Sequence, residues 1–397
     1  MSDGAAGYPR SETPQKQPGA GSGPRGAEIA VFHDHFSIRG GGERLVLTLA
    51  QALGADLVHG YATPATYEPA MFPEGTVDLG LPNALRRGGV RAVALGVLFA
   101  RQRRRAGAYS TRIFSGVAAP LAAPERSRTG RNIFYCHTPP RFLFDQREHF
   151  LGQLGGAARL AAGPVLARFE RAYLAAVGRM DVILTNSQNT RRRIRDYLGR
   201  DSEVVYPPCP TASFAWKGQD DYYLSTARLS GLKRVDVIVE AFLRLPDKRL
   251  LVASGGEERE RLERMAAGAP NIEFLGWSDE VRLRELIGRA VATIYVPREE
   301  DFGMSPVESM AAGKPVIGVA EGGLTETIVD GETGILLDRT FSAGDLAEAV
   351  HALTPDRAAA MRAACEARAA LFTEERFIDS MKRHVEAARA ALADRAQ

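Results

Sequence analysis

Residues 222–277 read YYLSTARLSGLKRVDVIVEAFLRLPDKRLLVASGGEERERLERMAAGAPNIEFLGW. Three short apolar runs stand out: YYLSTA (222–227), RLLVAS (249–254) and IEFLG (272–276). Runs this short read as strands buried on both faces. Between the first two lies VDVIVEAFLRL (235–245), where Val235, Ile238, Val239 and Phe242 share one helical stripe. A second helical stretch covers 257–267. The rhythm continues with helix 279–288, strand 292–296, helix 305–312 and strand 315–319. Strands alternating with helices predict a parallel, doubly wound α/β sheet. Ligands on such sheets bind beyond the carboxyl ends of the strands, so the loops there carry the chemistry.

The same pattern extends toward the amino terminus. EIAVFH, from Glu28, reads as a strand; GGGERLVLTLAQAL follows as a glycine turn and a helix carrying Leu45, Leu49 and Leu53. RNIFYCH (131–137) and DVILTNS (181–187) read as further strands. YPPCP (206–210) and the polar KGQDDY (217–222) mark a boundary. This divides the chain into domains over 28–210 and 211–372, with an Ala/Arg/Glu-rich helical segment over 373–397. Residues 1–27 hold six glycines, four prolines and no hydrophobic period, and read as a disordered tail without a signal peptide.

Composition narrows the function. The 397 residues suffice for two domains at roughly 150 residues each. Lys and Arg total 51 against 48 Asp and Glu, a surplus too small for a nucleic-acid binder. Cys136, Cys209 and Cys365 are too few and too scattered for a disulfide scaffold or an all-cysteine zinc site, which suits a reducing compartment. No run of 18 apolar residues occurs, so no membrane-spanning helix is expected. D-x-D, Walker and G-x-S-x-G patterns are absent, as is metal-ligand spacing; neither an essential metal nor a serine hydrolase is expected.

The strand-end loops hold the candidate site. In VPREEDFGMSPVESMAAG (296–313), Ser305, Pro306 and Glu308 have the spacing of a capping box with proline at the first helical position. Glu308 is then either a cap or a carboxylate facing sugar hydroxyls, since it can accept two hydrogen bonds from a diol. Gly303 lets a ligand approach a helix N-terminus, where free N–H groups favour anions. Arg228 and Lys233, after the strand at 222–227, are either solvated surface cations or a diphosphate clamp. Gly40, Gly41 and Gly42 permit close backbone approach, or merely turn the chain. His137 ends a strand before two prolines, as a structural or a site histidine.

Taken together, Glu300 and Glu308 in E-x7-E, ARLSGLKRVD, FLGW, EGGLTETIVDGETGILL, TNSQNTRRRI and YCHTPPR resemble a family 4 retaining glycosyltransferase of the GT-B type. With H-D-x-F, GGGER and YPP, the chain is most similar to bacterial GDP-mannose-dependent α-mannosyltransferases of exopolysaccharide and O-antigen assembly. The resemblance implies two Rossmann-like domains facing across a cleft. It implies Arg228 and Lys233 on the donor diphosphate, Glu308 on the ribose and Glu300 on the transferred sugar. The N–H groups of Phe302, Gly303 and Met304 would hold sugar and phosphate. Gly41 and Gly42 would face the phosphates, His137 the reacting sugar, and Ser187 would lie nearby. The base would rest on the loops at 254–256 and 277–278, and the last helix would cross back to the first domain. Glu299, Glu300 and Asp301 are consecutive where the family has one acid, so a bulge could present Glu299 instead of Glu300.

One stretch points to a membrane. From Leu79 to Pro124 there are no acids and eight arginines, among them Arg101, Arg103, Arg104 and Arg105, around the apolar VRAVALGVLFA (90–100). This is either a buried helix with a basic end or an interfacial segment on anionic lipid. The resemblance implies a lipid-linked saccharide acceptor and a cytoplasmic enzyme on the inner face of the cell membrane. The other readings are the same fold with a UDP-sugar or other donor or a soluble acceptor, and a sugar-nucleotide-binding protein without catalysis.

Overall fold

Ile29–His33 (β1) is buried along its whole length, the pattern of a strand covered on both faces. The computed structural model describes residues 28–393 apart from 39, 65, 153 and 154. The tail expected over 1–27 lies outside them. After β1 come Gly41–Ala52 (α1), Asp56–His59 (β2), Val77–Asp78 (β3), Gly88–Ala100 (α2) and Arg103–Gly107 (α3). Thr111–Ser115 (β4), Arg131–Cys136 (β5), Arg147–Gly152 (α4), Gly156–Gly178 (α5), Val182–Thr185 (β6), Gln188–Leu198 (α6) and Glu203–Val204 (β7) complete the first unit. Its seven strands run in the order β3-β2-β1-β4-β5-β6-β7.

The second unit holds Tyr222–Ser225 (β8), Val235–Leu243 (α7), Arg249–Val252 (β9), Arg259–Met265 (α8), Ile272–Phe274 (β10) and Glu280–Arg289 (α9). Ala292–Ile294 (β11), Met304–Ala311 (α10), Val316–Val319 (β12), Leu324–Thr327 (α11) and Gly334–Leu337 (β13) follow. Ala343–Ala352 (α12), Pro355–Ala360 (α13), Arg362–Ala369 (α14) and Glu374–Ala393 (α15) end the chain. The six strands lie in the order β10-β9-β8-β11-β12-β13. All pairings in both sheets are parallel. The strand order therefore reverses at β1/β4 in one sheet and at β8/β11 in the other, and crevices form at such switch points. These two doubly wound sheets are the expected fold.

The ends of the chain meet in the first unit. Phe377, Met381, Val385 and Ala388 of α15 share a core with Val31, Leu45, Ile113 and Tyr135. Arg131 donates from Nε to the Ala388 carbonyl at 3.3 Å and from a terminal nitrogen to that of Ala391 at 2.6 Å. The two strands of backbone that cross between the units also pair, with Cys209 N–H donating to Phe372 O at 3.0 Å.

Two local readings need correction. The helix expected from Ser305 starts instead at Met304, with Gly303 as its cap at φ 91° and no capping side chain. Glycine tolerates that left-handed backbone, so it makes the turn and the capping box does not form. β4 was hidden because TRIFS carries Arg112 at its second position. That guanidinium is buried and bonds the Ala106 carbonyl at 2.9 Å and Asn132 Oδ1 at 3.1 Å. Arg112 is thus one of the eight arginines that cannot face a membrane.

Candidate active site

The loop between β11 and α10 brings three consecutive acids to three different partners. Glu299 sits at φ 51°, a strained value for a residue with a side chain. Its N–H donates to Glu321 Oε1 at 2.8 Å, and its carboxylate turns outward to pair with Arg141 of the first unit. Glu300 turns inward. Its Oε2 accepts from Lys233 Nζ at 2.6 Å and from the Tyr295 hydroxyl at 2.7 Å, while Lys233 also reaches the Tyr295 oxygen at 2.8 Å. Burial and the neighbouring Glu300 keep the Tyr295 phenol protonated, which makes it a donor here. Asp301 takes Arg193 at 2.5 Å. The backbone twist at Glu299 thus leaves Glu300 beside Lys233, and Glu299 does not take its place.

Beyond these acids, the N–H groups of Phe302, Gly303 and Met304 make no hydrogen bond among the described residues. They open α10, where the helix dipole and free donors favour negative charge. Glu308, one turn into the helix, has its carboxyl pushed up by burial, and it makes neither ion pair nor hydrogen bond among the described residues. The surrounding charges are those of Arg44, Glu280 and Arg284. A half-buried carboxylate without a partner is costly, so this one is open to a hydrogen-bonding ligand.

Arg228 and Lys233 do not converge as a ready clamp. Arg228 is 61% exposed and pairs with Glu257 at 3.2 Å, apart from the Lys233–Glu300 pair. It lines a groove of about 1130 Å³ with Arg234, Arg298, Arg339 and Asp145. Arg234 is the second residue with a side chain at positive φ. Its guanidinium bonds the carbonyls of Val296 at 2.7 Å and Pro297 at 3.0 Å and so straps down the acid loop.

Across the cleft, a Cβ on Gly41 would overlap Met304 Sδ, and one on Gly42 would lie 3.5 Å from the His137 ring. Gly41 therefore packs directly against the Met304 thioether of the other unit. His137 follows β5, and burial pushes its pKa down to about 4, so the ring is neutral at pH 7. Its carbonyl accepts from Asn186 Nδ2 at 2.9 Å. Ser187 departs from expectation. It is fully buried, caps α6 through Thr190 N–H at 3.0 Å and donates to the Asp301 carbonyl at 2.6 Å. With its hydroxyl used in this way it bridges the two units and is not available to a donor. Phe302 likewise buries its ring against Tyr206 and Phe372.

Several cleft residues escaped the sequence reading. Glu326 of α11 accepts from the N–H groups of Gln188 at 2.7 Å and Asn189 at 2.8 Å, and so caps α6 from the other unit. Arg193 joins Asp301 to Asp145 and Thr138. Glu43, in the first turn of α1, is buried with its carboxyl pushed up to about 7, mainly by burial, with Asp34 adding to the shift. Trp277 is 73% exposed, and its indole lies where a Cβ of Gly255 would be. No group of three or more His, Cys, Asp or Glu side chains among the described residues could hold a metal ion.

The basic stretch folds as α2 and α3. Leu95 and Phe99 are buried, while Val90 and Val97 are exposed on one face of α2. Gly96 packs on Phe169 of α5, and Phe142 joins Phe169 to Phe150. Leu160 and Val165 of α5 are exposed as well, and so are Arg101, Arg103 and Arg104, with Arg105 half-buried. No helix among the described residues is long and apolar enough to cross a membrane.

Residues 211–371 match the family model described as "Glycosyl transferases group 1". The chain is 28% identical over 364 residues to the human alpha-1,3/1,6-mannosyltransferase ALG2, covering 78% of this chain and 83% of that one. It is 34% identical over 189 residues to a D-inositol 3-phosphate glycosyltransferase of Mycobacterium sp. strain JLS, spanning 44% of this chain and 42% of that one. Sucrose-phosphate synthase from Thermosynechococcus elongatus superposes with a TM-score of 0.73 at 18% identity, covering 92% of this chain and 100% of that one. Anabaena HepE in complex with UDP and glucose superposes with a TM-score of 0.69 at 16% identity, covering 91% and 99%. The structural likeness shows the GT-B fold, and the domain over 211–371 matches the group 1 glycosyltransferases.

Proposed function

We propose that this glycosyltransferase moves a mannosyl group from GDP-mannose to a lipid-linked saccharide in polysaccharide assembly, with retention of configuration and without a metal. The observation that carries the reading is the half-buried, unpartnered Glu308 beside the free N–H groups of α10 and the Lys233–Glu300 pair. In the proposed roles, a ribose diol donates to Glu308. The diphosphate draws Lys233 away from Glu300 and brings Arg228 in from the groove, and Glu300 turns to the sugar hydroxyls. The N–H groups of residues 302–304 hold sugar and phosphate, Gly42 allows the donor close to His137, and Trp277 stacks on the base. Likeness to mannosyltransferases over most of the chain supports the sugar.

When the sugar–phosphate bond breaks, the diphosphate leaves with the electron pair and the sugar becomes positive. Cations and amide dipoles aimed at the leaving group supply most of the stabilisation. The acceptor oxygen then bonds the same face, and its proton passes to a leaving phosphate oxygen. Closure over the cleft keeps water out. The exposed apolar face of α2 and α5, with arginines beside it, supports an acceptor delivered at an anionic membrane on the cytoplasmic side.

A thermal-shift series with GDP, GDP-mannose, UDP and UDP-glucose, chelator present, tests this. A ligand at about a hundred times its Kd adds roughly 2.7 kcal/mol of stability. A rise with the guanine compounds alone is expected. A rise with the uracil compounds alone would replace GDP-mannose by a UDP-sugar, the reading favoured by the UDP complex of HepE.

A further inference from the structure

Three strand ends lie side by side at the switch point of the first sheet. His33 ends β1 in register with Ser115, which ends β4 in register with Tyr135, two residues before His137. Their side chains form a hydrogen-bonded row. His33 Nδ1 lies 3.3 Å from Ser115 Oγ, and Ser115 Oγ lies 2.8 Å from His137 Nε2. Ser115 is 1% exposed and His33 6%. His137 Nδ1 has no hydrogen-bond partner among the described residues, and its ring stands over Gly42 in the cleft.

A serine hydroxyl has one proton, so it donates to one of its two imidazole neighbours and accepts from the other. O–H donors make the shorter bonds. On that rule we assign the 2.8 Å contact to the hydroxyl donating to His137 Nε2 and the 3.3 Å contact to His33 Nδ1–H donating to the hydroxyl. With Nε2 accepting, a neutral His137 carries its proton on Nδ1, the ring nitrogen left without a partner among the described residues.

We propose that Ser115, backed by His33, is a positioning residue for sugar transfer: it holds His137 in the Nδ1–H form, so that the ring presents a hydrogen-bond donor to a hydroxyl oxygen of the transferred sugar. The proposal rests on the reading that the donor sugar sits at His137. Burial keeps both rings uncharged, and His137 depresses His33 further. A neutral donor grips the sugar without opposing the positive charge it develops when the phosphate leaves. The row also explains a serine and a histidine buried where apolar side chains would pack.

The experiment is a long-range ¹H–¹⁵N correlation spectrum of histidine-labelled protein without ligand, with the His137 signals identified by their loss in His137→Gln. The wild type is expected to show Nδ1–H. Ser115→Ala should move the proton to Nε2, and Ser115→Thr, which keeps the hydroxyl, should retain Nδ1–H. With donor and acceptor, Ser115→Ala should lose roughly ten- to hundredfold in kcat with little change in donor KM, short of the 10²–10³ typical of losing a donor outright. Ser115→Thr should recover most of that loss. An Nε2–H form in the wild type overturns the proposal even if Ser115→Ala does not fold, and so does Nδ1–H persisting in a folded Ser115→Ala. Because the spectrum needs no sugar nucleotide, a protein that binds none of them would overturn the glycosyl-donor reading separately.

Discussion

Lys233 and Glu300 neutralise each other, so a diphosphate must compete for the lysine before it can be held. Lys233→Ala should abolish transfer while leaving the melting temperature within a few degrees; a variant with wild-type turnover would remove Lys233 from the diphosphate site. Glu308→Gln keeps the shape and loses the charge. We expect nucleotide affinity to fall by about tenfold or more, since a charged hydrogen bond contributes roughly 1.5–3 kcal/mol, and isothermal titration with the nucleoside diphosphate measures it. Glu43 gives a pH signature. Its carboxyl ionises near 7 in the folded state against an ordinary 4.5, so the folded protein holds the extra proton between those values. Its contribution is therefore present below about 4.5 and lost as pH rises through 7. Glu43→Gln should melt progressively higher than wild type between pH 5 and 8, by up to about 3 kcal/mol in stability. A flat difference across that range would mean that Glu43 is already ionised.

Among the elements, α10 depends on one backbone angle. Gly303 stands at φ 91°, and a Cβ there would lie 3.1 Å from Leu324 Cδ1. Gly303→Ala should cost about 1–3 kcal/mol and misdirect the N–H groups of 302–304, read as weaker nucleotide binding together with a lower melting temperature. On α2 the exposed Val97 offers a separate test: Val97→Glu, or glutamate at Arg103, Arg104 and Arg105, should release the protein from anionic liposomes in a flotation assay without changing nucleotide affinity. Unchanged flotation would send the search for the acceptor surface elsewhere. The sequence made the alternating strands and helices of 222–319 legible, because each strand there is a clean apolar run. It hid β2 and β4, whose buried His59 and Arg112 break the run, and it hid β13 behind a glycine. In the site it exposed Lys233, Glu300 and His137, which stand in loops after strands, and Glu308, in the helix that follows one of them. It could not expose Ser115, Arg193 or Glu326, whose partners lie 22 to 138 residues away and meet them through the fold.

At the scale of the whole molecule, the two units are held together by short polar bridges: Glu326 on the α6 N-terminus, Ser187 on Asp301, Arg193 on Asp301 and Arg141 on Glu299. Polar bridges exchange readily with water, so opening the cleft to admit a donor costs little buried apolar area. Glu326→Ala should shift small-angle scattering toward a larger radius of gyration in the unliganded protein, and a nucleotide should restore the smaller one. An unchanged radius would place the hinge restraint in other contacts. The last helix has a consequence during synthesis. α15 supplies Phe377, Met381, Val385 and Ala388 to a core that begins with Val31. Domains tend to fold as they leave the ribosome, the N-terminal one first. Here the first sheet leaves the exit tunnel with one face only partly covered, by α1, and waits for the whole second unit to be translated before that core can close. The nascent chain therefore carries exposed apolar surface until α15 has been made, which makes it a client for chaperones in that interval.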